Sequence, residues 1–143
     1  MISFSFYSKE YKDLPLDNLL NVLPSLVHEE GGEVAALSII FCSDEDMLEL
    51  NQQHLKHDYY TDIITFDYSN KDFISGDLFV SIDRVLDNAV SWKTTFEEEF
   101  HRVVFHGVLH LMGYQDKEDH EIALMRQKEN YYLTKLFHVK HGR

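Results

Sequence analysis

Apolar and polar residues alternate over residues 1–7, with Ile2, Phe4 and Phe6 on one side, the period-two pattern of an edge strand. Leu16, Leu19, Leu20, Leu23 and Val27 then recur at helical spacing as far as Gly31 and Gly32, and Pro24 within that run predicts a kink or an early stop. Residues 34–41 are almost all apolar and bounded by turn formers, which predicts a central strand covered on both faces. Ser43, with Asp46 three residues on, has the form of a helix cap and is followed by Met47, Leu50 and Leu55. Residues 63–66 and 78–82 read as two further strands, the second preceded by Gly76 at a bend or bulge.

From there the period becomes helical. Val85, Ala89 and Trp92 mark one helix, and Thr95 with Glu98 forms a capping-box pattern for the next, which runs to Gly113. Ile122, Met125, Glu129, Tyr132, Leu133 and Leu136 define a last helix lying on the surface. Strands first and helices later predict an α+β fold, a single mixed sheet of about four strands packed with about five helices. No repeat, linker or low-complexity tract divides residues 1–143, so one domain is expected.

Charge narrows the partners. Thirteen Lys and Arg against twenty-five Asp and Glu give a net charge of −12, which argues against broad attraction to nucleic acid phosphates; any RNA must be held locally. The richest basic cluster is C-terminal, Lys135, His138, Lys140, His141 and Arg143, and reads as a solvated tail. The lone Cys42 cannot form an internal disulfide and reads as a core thiol. No segment has the length of a membrane span and no basic start precedes an apolar run, so the cytoplasm is the expected compartment.

Chemistry concentrates in residues 106–116. His106 and His110 stand four apart on a helix that is apolar nearly all round, through Val103, Val104, Phe105, Val108, Leu109, Leu111 and Met112. Two buried imidazoles need polar partners or a metal ion. Gly107 between them weakens the helix by roughly 0.5–1 kcal/mol relative to Ala, which predicts either room for a ligand to approach or tight packing against a neighbour. Asp116, just past Gly113, is a candidate third ligand, and equally a candidate cap for the last helix; Asp119 and His120 are weaker ligand candidates. Two histidines and a carboxylate leave a coordination position open, as in catalytic rather than structural zinc sites. Gly107 stands where HExxH proteases carry their general base, which disfavours that mechanism.

The segment His106-Gly107-Val108-Leu109-His110-Leu111-Met112-Gly113-Tyr114 strongly resembles the signature H-G-x-L-H-L-x-G-Y-D-H of the YbeY family of ribosomal RNA maturation endoribonucleases. Two more blocks, residues 61–66 (TDIITF) and 76–81 (GDLFVS), resemble the family's T-D-V-L-S-F and G-D-I-x-I-S in the same order. The resemblance implies a metal-dependent, single-strand-specific endoribonuclease acting in small-subunit ribosomal RNA maturation and ribosome quality control. Single-stranded ribosomal RNA and the small ribosomal subunit would be its partners, with one zinc-like ion bound by His106, His110 and Asp116. Two departures stand out. Asp116 occupies the position of the family's third metal-binding histidine, and Leu55 that of its arginine, with Lys56 and His57 the nearest replacements.

On this reading Asp62, Asp77 or another nearby carboxylate orients the attacking group. The competing readings are a ribosome-assembly binding module with a mainly structural metal, and a metal-dependent hydrolase of a non-RNA substrate.

Overall fold

The computed structural model describes residues 1–55 and 61–137, the side chains of residues 54 and 55 excepted. Its elements are β1 (Ile2–Phe6), α1 (Leu19–Glu29), β2 (Glu33–Cys42), α2 (Asp44–Leu50) running into a π-helical turn (Asn51–Leu55), β3 (Ile63–Asp67), β4 (Phe73–Ser81), α3 (Ile82–Ser91), α4 (Phe96–Leu111) and α5 (Asp119–Phe137). The sheet order is β1-β2-β4-β3, with β1, β2 and β4 parallel and β3 antiparallel to β4. This is the expected α+β architecture, one mixed four-stranded sheet and five helices. The side chain of Leu55, at the family's arginine position, and Lys56, His57, His138, Lys140, His141 and Arg143 lie outside what is described.

Alternation along the strands sends Leu37, Ile39 and Phe41 of β2 and Ile74, Leu78 and Val80 of β4 to one face, where they share a core with α1, α3, α4 and α5. The opposite face carries a smaller cluster of Cys42, Met47, Leu50 and Ile64 beneath α2. The expectation that β2 is covered on both faces holds only at its C-terminal end; Ala35 and Ala36 are exposed. Helix α2 is seven residues long, about 10 Å, too short to roof the whole strand. Cys42 is buried, and burial pushes its thiol up to about 12, as for a core residue.

Local signals decide the boundaries. Ser43 and Asp46 form a complete capping box. Helix α1 continues through Pro24 without the early stop its sequence suggests, because packing of Leu19, Leu23, Leu26 and Val27 outweighs one missing hydrogen bond. It ends where Gly31 takes φ 94° and the Gly32 amide reaches the Val27 carbonyl at 2.9 Å, the Schellman arrangement. Strand β4 starts earlier than its apolar run, at Phe73, and stops at Ser81, whose hydroxyl accepts the Arg84 amide and so turns Ile82 into the first residue of α3. The bulge lies at Ala35 of β2, not at Gly76. Gly76 instead sits in the ladder where a Cβ would come within 2.5 Å of the Phe66 carbonyl oxygen. Trp92, placed by its spacing on the inner face of α3, follows the last helical residue and is 54% exposed.

Candidate metal centre

Helix α4 carries the chemistry because it is both well capped and buried. The Thr95 hydroxyl accepts the Glu98 amide at 3.0 Å, and Glu97, Glu98 and Glu99 complement the dipole in the first turn. From Phe100 to Val108 and on to Leu111 the helix is packed against the sheet on one side and α3 and α5 on others. Gly107 lets it lie that close. A Cβ there would meet Ile63 Cδ1 at 2.5 Å and Leu78 Cδ2 at 3.1 Å, so of its two sequence readings tight packing is the one observed. Gly107→Ala is expected to destabilise the fold by about 1–3 kcal/mol through overpacking. Denaturant unfolding measures this, and an unchanged midpoint would mean that Ile63 moves aside at no cost.

The seating leaves one side of α4 open beside β3, and His106 and His110 emerge there with their rings 4.5 Å apart. The two Nε2 atoms are 3.0 Å from each other, and Asp116 Oδ2 lies 3.1 Å from His106 Nε2 and 3.2 Å from His110 Nε2. Behind them, His106 Nδ1 faces Glu129 Oε2 at 2.7 Å and His110 Nδ1 faces the Tyr114 carbonyl oxygen at 2.8 Å. Both partners accept only, so each Nδ1 carries a proton and donates it, which turns each Nε2 towards Asp116. With the Asp116 oxygen this gathers three candidate ligand atoms in mutual contact. A metal ion would take the place of any proton held between the imidazoles and the carboxylate. Ligands about 2.0–2.2 Å from one ion stand roughly 2.8–3.6 Å apart at angles from 90° to tetrahedral, and the three observed separations fall in that range. The donor set therefore fits a divalent metal.

Burial opposes charge on His106, but its hydrogen bond to Glu129 and the carboxylates of Glu129, Asp62 and Asp116 outweigh burial and raise its pKa. Glu129 shows the converse. Burial disfavours its ionised form, yet the bond from His106, with the charges of His106 and Arg126 and a bond from Arg102, holds its carboxyl below the usual range. Glu129 Oε1 accepts from Arg102 Nη1 at 3.0 Å, and both side chains are only 3% exposed. Arg126 Nη1 lies 3.6 Å from the same oxygen.

Asp116 is not the cap of α5. The helix begins at Asp119, and the amides of Lys117 and Glu118 are taken by Glu121 Oε1. Asp62 stands at the wall of the same cleft, a space of about 610 Å³ that also touches Asn51, Thr65, Asp67 and Lys117, and its Oδ2 accepts from Asn88 Nδ2 at 3.2 Å. Asp77 is elsewhere. It points to the opposite side of β4 from Leu78, and its Oδ2 accepts from the Tyr68 hydroxyl at 3.3 Å. Asp119 opens α5, and the His120 side chain is 79% exposed, outside the cluster.

The family model for endoribonuclease YbeY matches residues 5–137. The chain belongs to the endoribonuclease YbeY family. It is 47% identical over 140 residues to endoribonuclease YbeY of Flavobacterium psychrophilum, covering 98% of this chain and 99% of that one. The Phocaeicola vulgatus endoribonuclease YbeY is 43% identical over 134 residues, covering 94% and 97%. The solution structure of TM1509 from Thermotoga maritima superposes with a TM-score of 0.71 at 35% identity, covering 96% of this chain and 90% of that one.

The YbeY signature thus maps onto the last turns of α4 and the Gly113 turn. Gly113 takes φ 102°, and the Tyr114 amide bonds the Leu109 carbonyl at 3.1 Å, which brings the Tyr114 carbonyl under His110. Two supports of the signature escape sequence reasoning. Spacing places Glu129 only in the inner stripe of α5, although a carboxylate among Met125, Tyr132 and Leu133 is a signal of a buried partner. Nothing in its own segment singles out Glu30; its carboxylate accepts from the hydroxyls of Tyr114 and Tyr132 and from Lys128 Nζ, tying the turn to α1 and α5.

Proposed function

We propose that this chain is a metal-dependent, single-strand-specific endoribonuclease of ribosomal RNA maturation and ribosome quality control, working in the cytoplasm on the small ribosomal subunit. The observation that carries the reading is the contact of three ligand atoms, His106 Nε2, His110 Nε2 and Asp116 Oδ2, at 3.0–3.2 Å in an open cleft of a YbeY-family chain. These three atoms would hold one divalent ion, with zinc suited to two imidazoles and a carboxylate. Such an ion supplies electrophilic assistance to phosphodiester hydrolysis. The chain does the rest. Glu129 and the Tyr114 carbonyl hold the Nδ1 protons and orient each ring so that its Nε2 faces the site. Asp62 and Lys117 line the cleft; on this reading Asp62 orients the attacking group and Lys117 meets a phosphate.

The experiment is cleavage of a defined single-stranded ribosomal RNA fragment and its duplex form by purified protein, with chelator-treated and His110→Ala samples alongside. Cleavage of the single strand that is lost in both controls is expected; equal cleavage in all three would point to a contaminating nuclease and to a binding role for the protein.

Asp116 gives a separable test. Asp116→Asn retains a polar side chain but removes the anionic ligand, so metal content and activity should both fall. Asp116→His supplies a third imidazole and should retain the ion, with the activity profile moved to lower pH because one negative charge leaves the ion's surroundings. Full metal content in Asp116→Asn would exclude Asp116 from the ligand set.

A further inference from the structure

Strand β3 is an edge of the sheet, and the edge faces the metal-binding cleft. Its pairing with β4 follows one register, Ile63 with Val80 through Asp67 with Gly76. The flanking bonds, Ser81 amide to Asp62 carbonyl and Tyr68 amide to Ser75 carbonyl, show that the even-numbered positions face β4. In an antiparallel ladder the alternate residues then turn their N–H and C=O away from the partner strand. Thr65 and Asp67 therefore present backbone donor–acceptor pairs outward, and among the described residues no backbone group bonds them. Both residues also line the cleft that holds His106, His110 and Asp116.

The charge of this wall selects what can lie against it. Asp62, Asp67 and Asp116 line the cleft with Lys117 the one Lys or Arg among its described lining residues. A phosphate backbone is repelled from such a wall, whereas uncharged bases are not. Each of the four RNA bases carries an adjacent donor and acceptor on its Watson–Crick edge, which matches the N–H and C=O of one outward-facing strand residue whatever the base. The spacing matters too. Outward-facing residues recur every two positions, about 6.8 Å along an antiparallel strand, while stacked bases in a duplex follow one another every ~3.4 Å. Only a splayed single strand can offer one base to each pair, and only an unpaired base has that edge free.

Resting on the endoribonuclease reading, we propose that the open edge of β3 is a base-docking strip. Unpaired bases of the substrate hydrogen-bond the outward backbone groups around Thr65, their phosphates turned from Asp67 towards the metal centre and Lys117. Single-strand preference without sequence preference follows from the backbone, not from a side chain.

Three oligoribonucleotides of one length test this on the metal-loaded protein: a single strand of mixed sequence, its perfect duplex, and the same ribose-phosphate backbone with abasic residues at every position. The single strand is expected to bind at least about tenfold more tightly than both others, since a strand without free base edges leaves the outward N–H and C=O groups unbonded. Thr65→Pro removes one outward N–H without touching the ladder to β4, as proline is tolerated on strand edges in that orientation. It should weaken single-strand binding by several-fold while leaving metal content unchanged, and Thr65→Val should bind as the parent does. Equal affinity for the abasic backbone, or a folded Thr65→Pro that binds the single strand normally, would overturn the docking strip while leaving the nuclease reading in place. Failure of the parent protein to bind or cut any RNA, or capture of an unstructured peptide at this edge in its place, would overturn both.

Discussion

Replacing both His106 and His110 by alanine is expected to abolish stoichiometric metal binding and to reduce RNA cleavage by about 10³-fold or more, the loss of several kcal/mol of barrier lowering that an electrophilic ion supplies. The imidazoles provide two of the three contacting ligand atoms, and Asp116 alone is 39% exposed and cannot hold an ion against water. Stability should separate the same way. An ion that binds only the folded state at a hundred times its dissociation constant stabilises by about 2.7 kcal/mol, roughly 5–10 °C in melting temperature for a chain of this size. The parent protein should show that rise on metal addition, and the double variant should show none. Retention of full metal content by the double variant would remove His106 and His110 from the site.

Glu129→Ala should have the largest effect on the fold itself. It leaves the Arg102 guanidinium buried without its 3.0 Å partner, and breaking a buried pair by removing one member costs about 3–5 kcal/mol. It also frees His106 Nδ1, and loss of a carboxylate behind a ligating imidazole typically weakens metal binding by about 10–100-fold. Glu129→Gln separates the two effects. Its amide oxygen can still accept from one neighbour, so the fold should be retained better, while the charge that keeps His106 basic is gone. Unfolding curves and competitive metal titration on both variants provide the check. Parent-like metal affinity in Glu129→Gln would mean that the carboxylate serves only Arg102.

The apolar helix with His106 and His110 was legible because its evidence is local: helical spacing, a Thr95 cap and a Gly113 stop lie within one segment. Asp116 was half legible. Three residues from the start of α5, it had the spacing of a cap as well as of a ligand, and only the turn at Gly113 shows which way its carboxylate points. Glu129 was out of reach of spacing arguments, since it meets His106 across 23 residues of chain. Asp62 and Asp77 looked alike as carboxylates of two strand blocks, but the two-residue alternation of β4 sends Asp77 to the far face. Pro24 and Trp92 mark the limit of propensity: tertiary packing carried α1 through the first, and one residue of helix length put the second in solvent. The bulge at Ala35 had no signal at all in its own residue type.

The central claim is that one ion, held by His106, His110 and Asp116, makes this chain a nuclease. Titrating a divalent metal into chelator-stripped protein while following single-strand RNA cleavage tests it directly. Activity should be absent at the start, rise linearly, and level off at one ion per chain, with no rise in the His106→Ala, His110→Ala double variant. Full cleavage before any metal is added, or a rise in the double variant that matches the parent, would contradict it.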